Sequence, residues 1–422
     1  VTRVLRFAAG ALLGIAIGTL AWGEGRVPLL AVLLPFALTL CATRAQAFAF
    51  AFGYACGTLR YVAPFIAGWF DGNLWIGFGA LCIYGLMSGA VWCLAWSEST
   101  SGLRRGAVVV AAWTIALLPP AAPGVAGHPV IAMGYLLPGS GWFGVLVSIL
   151  MPAGFVWACA QSRVPVASQR VGAVTVAVVL VAWGFTLGVP SSSSTAHGVY
   201  AMRTSFGALQ SQDDAISRIE AMGREGRPPG AVAVIWPESI IGRYDTALYP
   251  VLKLELLSPS QSVGIAQVVG MDIPLPGDRL QNSAIAFYPD GSAATATARQ
   301  PAPVSLWKPW RSDKTFIADW TSSNMLALGQ GDRAAVIFCY EEYMPVLYLI
   351  NELRDSPTLY LAVANTWAAR EKGAAEVQRL HSFGMARLFG RPYLKAENRP
   401  RPASGALQVS PPAAAASAPP LP

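Results

Sequence analysis

The feature that most constrains this chain is the way charge is divided along it. The first 190 residues hold nine Arg, no Lys and three acids, whereas the remaining 232 hold 21 bases and 20 acids. Charged residues make up about a quarter of an ordinary soluble domain, so the first stretch calls for a different solvent. Within it, apolar runs long enough to cross roughly 30 Å of hydrocarbon lie near 4–23, 27–43, 46–66, 73–96, 105–122, 131–160 and 171–189. Seven transmembrane helices are therefore expected, the sixth kinked or preceded by a re-entrant piece because Pro138, Gly139 and Gly141 fall early in it. The first run is read as a retained helix, since further apolar runs follow at once and no small-residue cleavage site precedes a polar chain.

The arginines give an orientation. With the N-terminus in the cytoplasm, inside segments carry Arg3, Arg6, Arg44, Arg104, Arg105, Arg163 and Arg170, and outside loops only Arg26 and Arg60. Because bases accumulate in cytoplasmic loops, residues beyond 190 are expected outside the inner membrane, in the periplasm of a Gram-negative cell. The formal charge of +7 sits mainly in membrane loops and forms no single basic face, so no nucleic-acid partner is expected. The ionisable residues nearest the spans, Arg60 and Asp71, flank helix ends, which favours an anchor or lipid-entry surface over a transport path.

After a junction at Pro190-Ser-Ser-Ser-Ser-Thr195, the pattern alternates between strands and helices. Strands are expected at 198–204, 231–236, 263–270, 283–288, 334–339 and 359–364, and helices at 209–224, 344–352 and 370–388. This is an α/β layer pattern. The expected organisation is a membrane domain over 1–190, an α/β domain over 191–398 and a disordered Pro/Ala-rich tail over 399–422. The isolated His128, His197 and His381 have packing or surface roles rather than metal-ligand spacing, and no Gly-rich phosphate loop occurs. Neither a metal nor another cofactor is expected.

Of six cysteines, Cys41, Cys56, Cys82, Cys93 and Cys159 lie in the expected spans and Cys339 stands alone in the soluble half. A lone thiol facing an oxidising compartment is either buried and inert or reactive. Cys339 ends the apolar run 334–338 and precedes Tyr340, Glu341 and Glu342, while the run 231–236 ends in Trp236-Pro237-Glu238-Ser239. Two strand ends thus deliver a thiol and a carboxylate. Together they fit covalent catalysis, in which the carboxylate takes the thiol proton and a nearby cation favours the thiolate and a developing oxyanion.

These residues resemble the nitrilase superfamily and, within it, the membrane-bound apolipoprotein N-acyltransferases, which also place the nitrilase-like domain after N-terminal spans. Trp236-Pro237-Glu238 is similar to the catalytic-Glu motif and Cys339-Tyr340-Glu341 to the nucleophile motif. Asn365-Thr366-Trp367 is similar to an Asn-Asp-x-Trp segment, and Gly390-Arg391-Pro392 through Lys395-Ala396-Glu397-Asn398 to a later Gly-Arg-Pro and Ala-x-Asn segment. The resemblance implies a polytopic helical membrane domain followed by a periplasmic α-β-β-α sandwich. It also implies Glu238 as general base and Cys339 as the nucleophile that forms a thioester, with Trp236, Tyr340, Glu341 and Asn365 shaping the site; Asn365 is equally well read as a turn residue.

The chain departs from the family at its third catalytic residue. After the turn Tyr288-Pro289-Asp290-Gly291, the position of the family Lys falls on Arg299, followed by Gln300-Pro-Ala-Pro-Val304 without the Phe-Gly-Glu of the family. Arg keeps the charge but cannot release a proton and presents a planar fork. Arg299 is therefore the expected oxyanion cation, with Lys308 and Lys314 as alternatives. The acyltransferases finish in a last transmembrane helix, where this chain runs into Pro and Ala. Both departures resemble the TraB subfamily of conjugal transfer proteins. The implied activity is transfer of a phospholipid acyl group to an amine. The implied partners are membrane lipid and a protein acceptor or components of a conjugation apparatus. A catalytically degraded scaffold of that apparatus and an envelope amidase are the alternatives.

Overall fold

The computed structural model describes residues 2–161 apart from 24 and 27, then 168, 172 and 175, and 198–410 apart from 330 and 370–372. The chain forms two compact units. One comprises Val1–Pro190, Tyr343–Leu349 and Glu371–Gly390, the other Ser191–Glu342, Ile350–Arg370 and Arg391–Pro422.

The first unit contains α1 (Thr2–Ala21), α2 (Leu33–Thr39), α3 (Arg44–Thr58), α4 (Val62–Trp69), α5 (Leu74–Trp92), α6 (Gly102–Leu117), α7 (Pro129–Leu136) and α8 (Trp142–Gln161). Among the described residues, three helices are long and apolar enough to cross a membrane: Arg3–Ala21, Leu74–Ala95 and Trp142–Gln161. The chain is a membrane protein, with fewer long spans in the described residues than the seven expected. The second run forms only the shorter helix Pro28–Thr39. The third breaks between α3 and α4, where Arg60 donates to the carbonyls of Gly57 and Trp22 at 2.9 and 2.8 Å and so satisfies helix-end acceptors. The fifth stops at α6 because Pro119 and Pro120 follow, and proline disfavours helix both at itself and at the preceding residue. The sixth divides into short, fully buried α7 and long α8, as the glycines foretold: Gly139 and Gly141 adopt φ of 74° and 55°. The run 171–189 lies outside the described residues, apart from isolated positions.

Small residues set the helix spacing in this unit. A Cβ added to Gly14 of α1 would lie 2.0 Å from the Phe50 carbonyl of α3, and one added to Gly57 would lie 2.4 Å from that of Ile15. Close backbone approach of this kind is how helices associate where lipid supplies no hydrophobic drive. The helix Gly373–Leu388, expected with the α/β region, groups with this unit. Its Gly384 touches Gly134 of α7 backbone to backbone, and Tyr135 Oη donates to Leu380 O at 2.8 Å. His381 in the same helix accepts from Gly127 N at 2.9 Å through Nε2 and stacks on Trp22 at 4.0 Å. His128 is buried and bonded to Trp113 O and Val130 N. Both histidines pack, and His197 lies outside the described residues.

The second unit is built on two six-stranded sheets. The first has order β1 (Val199–Ala201), β3 (Ala233–Ile235), β4 (Ala266–Leu275), β5 (Arg279–Phe287), β6 (Ala293–Thr297), with β7 (Thr315–Phe316) also on β5. The second has order β12 (Val409–Ser410), β2 (Arg203–Thr204), β11 (Tyr393–Asn398), β10 (Leu359–Asn365), β9 (Asp332–Phe338), β8 (Met325–Gly329). Alternate residues from both sheets, among them Ala233, Ile235, Val268, Ala284, Val336, Phe338, Leu361 and Val363, form one buried core. That is the face-to-face packing of a sandwich. The opposite face of the first sheet, with Val234, Trp236, Val269 and Met271, is covered by α9 (Gln212–Glu225) and residues 252–257. The helix α10 (Pro345–Arg354) follows, and its residues from Ile350 on, Asn351 among them, belong to this unit. The expected helical membrane region and α/β sandwich are thus both present. Residues 399–410 correct the expectation of a disordered tail from 399. β12 pairs antiparallel with β2, and Arg401 reaches Asp214 Oδ1 at 2.6 Å. Residues 411–422 lie outside the described residues.

Candidate active site

Glu238 follows β3 and Cys339 follows β9, so both leave their sheets at the carboxyl end of a parallel strand, where ligand sites gather in α/β folds. Gly270 in the middle of β4 permits this on the first sheet. A Cβ there would stand 2.1 Å from Pro237 O and 2.7 Å from Glu238 Cα. Trp236 N bonds Val268 O at 2.8 Å and Ile240 N bonds Gly270 O at 3.0 Å, so the segment carrying Glu238 lies flat on β4. Ser239, next in line, holds φ of 44°, a strained conformation for a residue with a Cβ. Its Oγ donates to Asp272 Oδ1 at 2.6 Å.

The Glu238 carboxylate is buried. It accepts from Asn282 Nδ2 of β5 and from the backbone N–H of Asn365 at the end of β10. The register pairs Val363 with Phe338, so Asn365 extends β10 beside the Cys339-Tyr340 turn and brings the two strand ends together. Burial raises the Glu238 pKa to about 8. The Asn282 hydrogen bond opposes the shift, and the charges of Asp272 and Glu341 add to it. Asp272 itself is pushed up to about 6 by burial, against the Ser239 hydrogen bond.

Glu341 is a clamp. Its Oε1 accepts from Arg299 N at 2.6 Å and Gln300 N at 2.9 Å, and its Oε2 from Phe338 N at 3.0 Å. These bonds tie the segment after β6 to the turn that carries Cys339. Burial still dominates and raises the pKa to about 7.

Arg299 therefore contributes its backbone to this region, but its guanidinium goes elsewhere. Nε donates to Ser322 O at 3.0 Å and Nη1 to Asn351 Oδ1 at 2.6 Å, and the side chain is fully buried. Among the described residues, no bond joins it to Glu238 or Cys339. Lys308 is half-buried in the following loop, its backbone N–H on Thr315 Oγ1, and forms no ion pair among the described residues. Trp236 points into the core on the far side of the first sheet, with Nε1 on Gln267 Oε1 at 2.8 Å. Tyr340 is half-buried beside Cys339 in the turn Cys339–Tyr343. The Asn365 side chain accepts from Asn398 Nδ2 at 2.9 Å while its N–H serves Glu238.

A cation near the thiol comes from a residue that sequence reading passed over. Lys395 of β11 lies on the same face as Cys339 by strand register, and its ammonium meets Glu342 Oε1 of the cysteine turn at 2.8 Å. Tyr393 Oη donates to the other Glu342 oxygen at 3.0 Å. Burial disfavours the Lys395 charge, but Glu342 and Glu397 outweigh it and hold the pKa above the usual lysine value; Cys339 lies within electrostatic reach. The signal in the sequence was the place of Lys395 inside a short strand, Tyr393–Asn398, that it shares with Glu397 and Asn398. Asn282 and Asp272 gave no such signal, since buried and exposed polar residues of a hairpin look alike in a sequence. Among the described residues, no group of three or more metal-ligating side chains occurs.

No family profile matches the chain. Among curated proteins, it is 26% identical to the probable conjugal transfer protein TraB of Sinorhizobium fredii, over 91% of this chain and 96% of that protein. It is 25% identical to the conjugal transfer protein TraB of Agrobacterium fabrum, over 92% of this chain and 91% of that protein. Among solved structures, it is similar to a carbon-nitrogen hydrolase from Helicobacter pylori, with 13% identity, a TM-score of 0.38, and coverage of 48% of this chain and 74% of that one. An amidase from Nesterenkonia matches at 15% identity and a TM-score of 0.31, over 42% of this chain and 68% of that one. By similarity along 91–92% of its length, the chain is a distant homologue of the TraB conjugal transfer proteins.

Proposed function

We propose that this TraB-like protein is a cysteine-dependent acyltransferase that serves conjugal transfer from the bacterial inner membrane, with its α/β unit in the periplasm. The observation that carries the reading is the convergence of Glu238 and Cys339: the Glu238 carboxylate is held by the backbone N–H at the end of the strand that neighbours Cys339. Cys339 Sγ attacks the acyl carbon of a phospholipid ester, and the thiol proton passes to the Glu238 carboxylate. The ester C–O bond then breaks, and the leaving alkoxide takes that proton, leaving a thioester. An acceptor amine attacks the thioester and gives its proton to Glu238, and the thiolate departs to be reprotonated. The Lys395 ammonium favours the anionic sulfur at both ends of the cycle. The fusion to membrane helices supports a lipid donor, because a lipid-facing enzyme meets its substrate in the bilayer.

One observation favours a second reading. Among the described residues, no cation contacts Glu238, and the Arg299 guanidinium is bonded to Ser322 and Asn351. An Arg299 guanidinium held by Ser322 and Asn351 instead of standing at Cys339 suits a non-catalytic component of a conjugation apparatus. Mass spectrometry of Cys339 in protein purified from native membranes separates the two. An acyl mass on Cys339 that disappears in Cys339→Ser and Glu238→Gln is expected. An unmodified Cys339 that also fails to react with added phospholipid would transfer the assignment to the scaffold.

A further inference from the structure

A cleft of about 530 Å³ opens at one end of the helical unit, lined by Arg44, Trp96, Ser97, Glu98, Ser99 and Arg104. Its depth in the membrane follows from α5. With its short extension, this span covers Leu74–Ala95, 22 residues, or about 33 Å at the helical rise of 1.5 Å per residue. That length crosses the roughly 30 Å hydrocarbon layer. Apolar side chains are exposed along it, among them Phe78, Ile83, Leu86 and Leu94, as on a lipid-facing surface. The residues directly after Ala95 therefore stand at the level of the headgroups. Trp96 fits that level, with an apolar ring and an indole Nε1 donating to Cys41 O at 2.7 Å.

The chemistry of the lining selects a ligand. Arg44 begins α3 and lies 5.9 Å over the Trp96 ring, and Arg104 is in the first turn of α6. Both are exposed, and neither has a carboxylate partner among the described residues. Two guanidiniums with adjoining serine hydroxyls suit a phosphodiester, which their fork-shaped donors match. Glu98 is an exposed carboxylate in the same lining and opposes a simple anion, but it suits a headgroup that also carries a cation. Leu94 and Leu103, close in sequence to the lining residues Trp96 and Arg104, are exposed and offer surface to acyl chains.

We propose that this cleft binds a glycerophospholipid of the ethanolamine type, with the phosphodiester on Arg44 and Arg104 and the ammonium beside Glu98. The inference does not depend on any chemistry at Cys339.

Native mass spectrometry of the full chain in detergent tests it, with phosphatidylethanolamine, phosphatidylglycerol or inorganic phosphate added. Wild type is expected to retain phosphatidylethanolamine in preference to phosphatidylglycerol, and R44Q/R104Q to retain it about tenfold less, as loss of charge-assisted contacts predicts. R3Q/R6Q removes equal charge from the exposed start of α1 and should bind as wild type does. Equal retention by R44Q/R104Q and wild type overturns the proposal. So does displacement of the lipid by millimolar inorganic phosphate, which would make this a site for free phosphate. If R44Q/R104Q does not fold, E98Q decides: loss of the preference for phosphatidylethanolamine supports the site, and an unchanged preference overturns it.

Discussion

Glu238 holds its proton at neutral pH because nothing near it favours the anion strongly enough. Burial outweighs the Asn282 hydrogen bond, and two further carboxylates stand close by. A carboxyl group with a raised pKa is neutral below that value and ionised above it, so the base form of Glu238 becomes the major one only above about pH 8. Acylation of Cys339 is therefore expected to speed up about tenfold per pH unit below that value and to level off above it. Timed mass spectrometry across pH 6–9 reads this directly. A rate that is flat across the range would remove Glu238 from the role of base. Lys395 works in the opposite sense: its carboxylate neighbours keep it charged throughout the same range.

Among the elements, α7 and the helix Gly373–Leu388 cross at a pair of glycines. The Gly134 and Gly384 backbones touch so closely that a Cβ at 134 would lie 1.7 Å from Gly384 O. No rotamer relieves such a clash, because the obstacle is a carbonyl of the facing backbone. Gly134→Val should lower stability by about 3 kcal/mol, the upper range for overpacking, and thermal unfolding in detergent would show it as a fall in Tm. Gly79 of α5 has nothing within 4 Å of its added Cβ, and Gly79→Ala should leave Tm unchanged or raise it. Equal loss at both positions would mean that helix propensity, rather than the crossing, sets the effect.

For the whole molecule, the division of charge is the main determinant. The arginine bias favours a cytoplasmic N-terminus and a periplasmic α/β unit. A membrane-impermeant maleimide should label Ser292→Cys in intact spheroplasts and Thr100→Cys only after lysis, in a background free of the native cysteines. The reverse pattern would invert the orientation. Both positions are exposed, so access reports the side of the membrane and not burial.

The sequence by itself determined the solvent of each half, the α/β alternation, and the two strand ends that carry Glu238 and Cys339. These depend on local composition, periodicity and short motifs, which a linear reading captures. Tertiary structure decided that the third run breaks, because Arg60 closes that helix end against Trp22, whereas the stop at Pro119 is local. It decided that the helix Gly373–Leu388 groups with the membrane helices, since the glycine that permits this matters only once Gly134 faces it. It also decided that the Arg299 guanidinium turns to Ser322 and Asn351 while Lys395 approaches the cysteine turn. The direction of a buried charge is set by partners distant in sequence: Arg299 is 52 positions from Asn351, and Lys395 is paired with Glu342 across β10. No spacing rule along the chain encodes those distances.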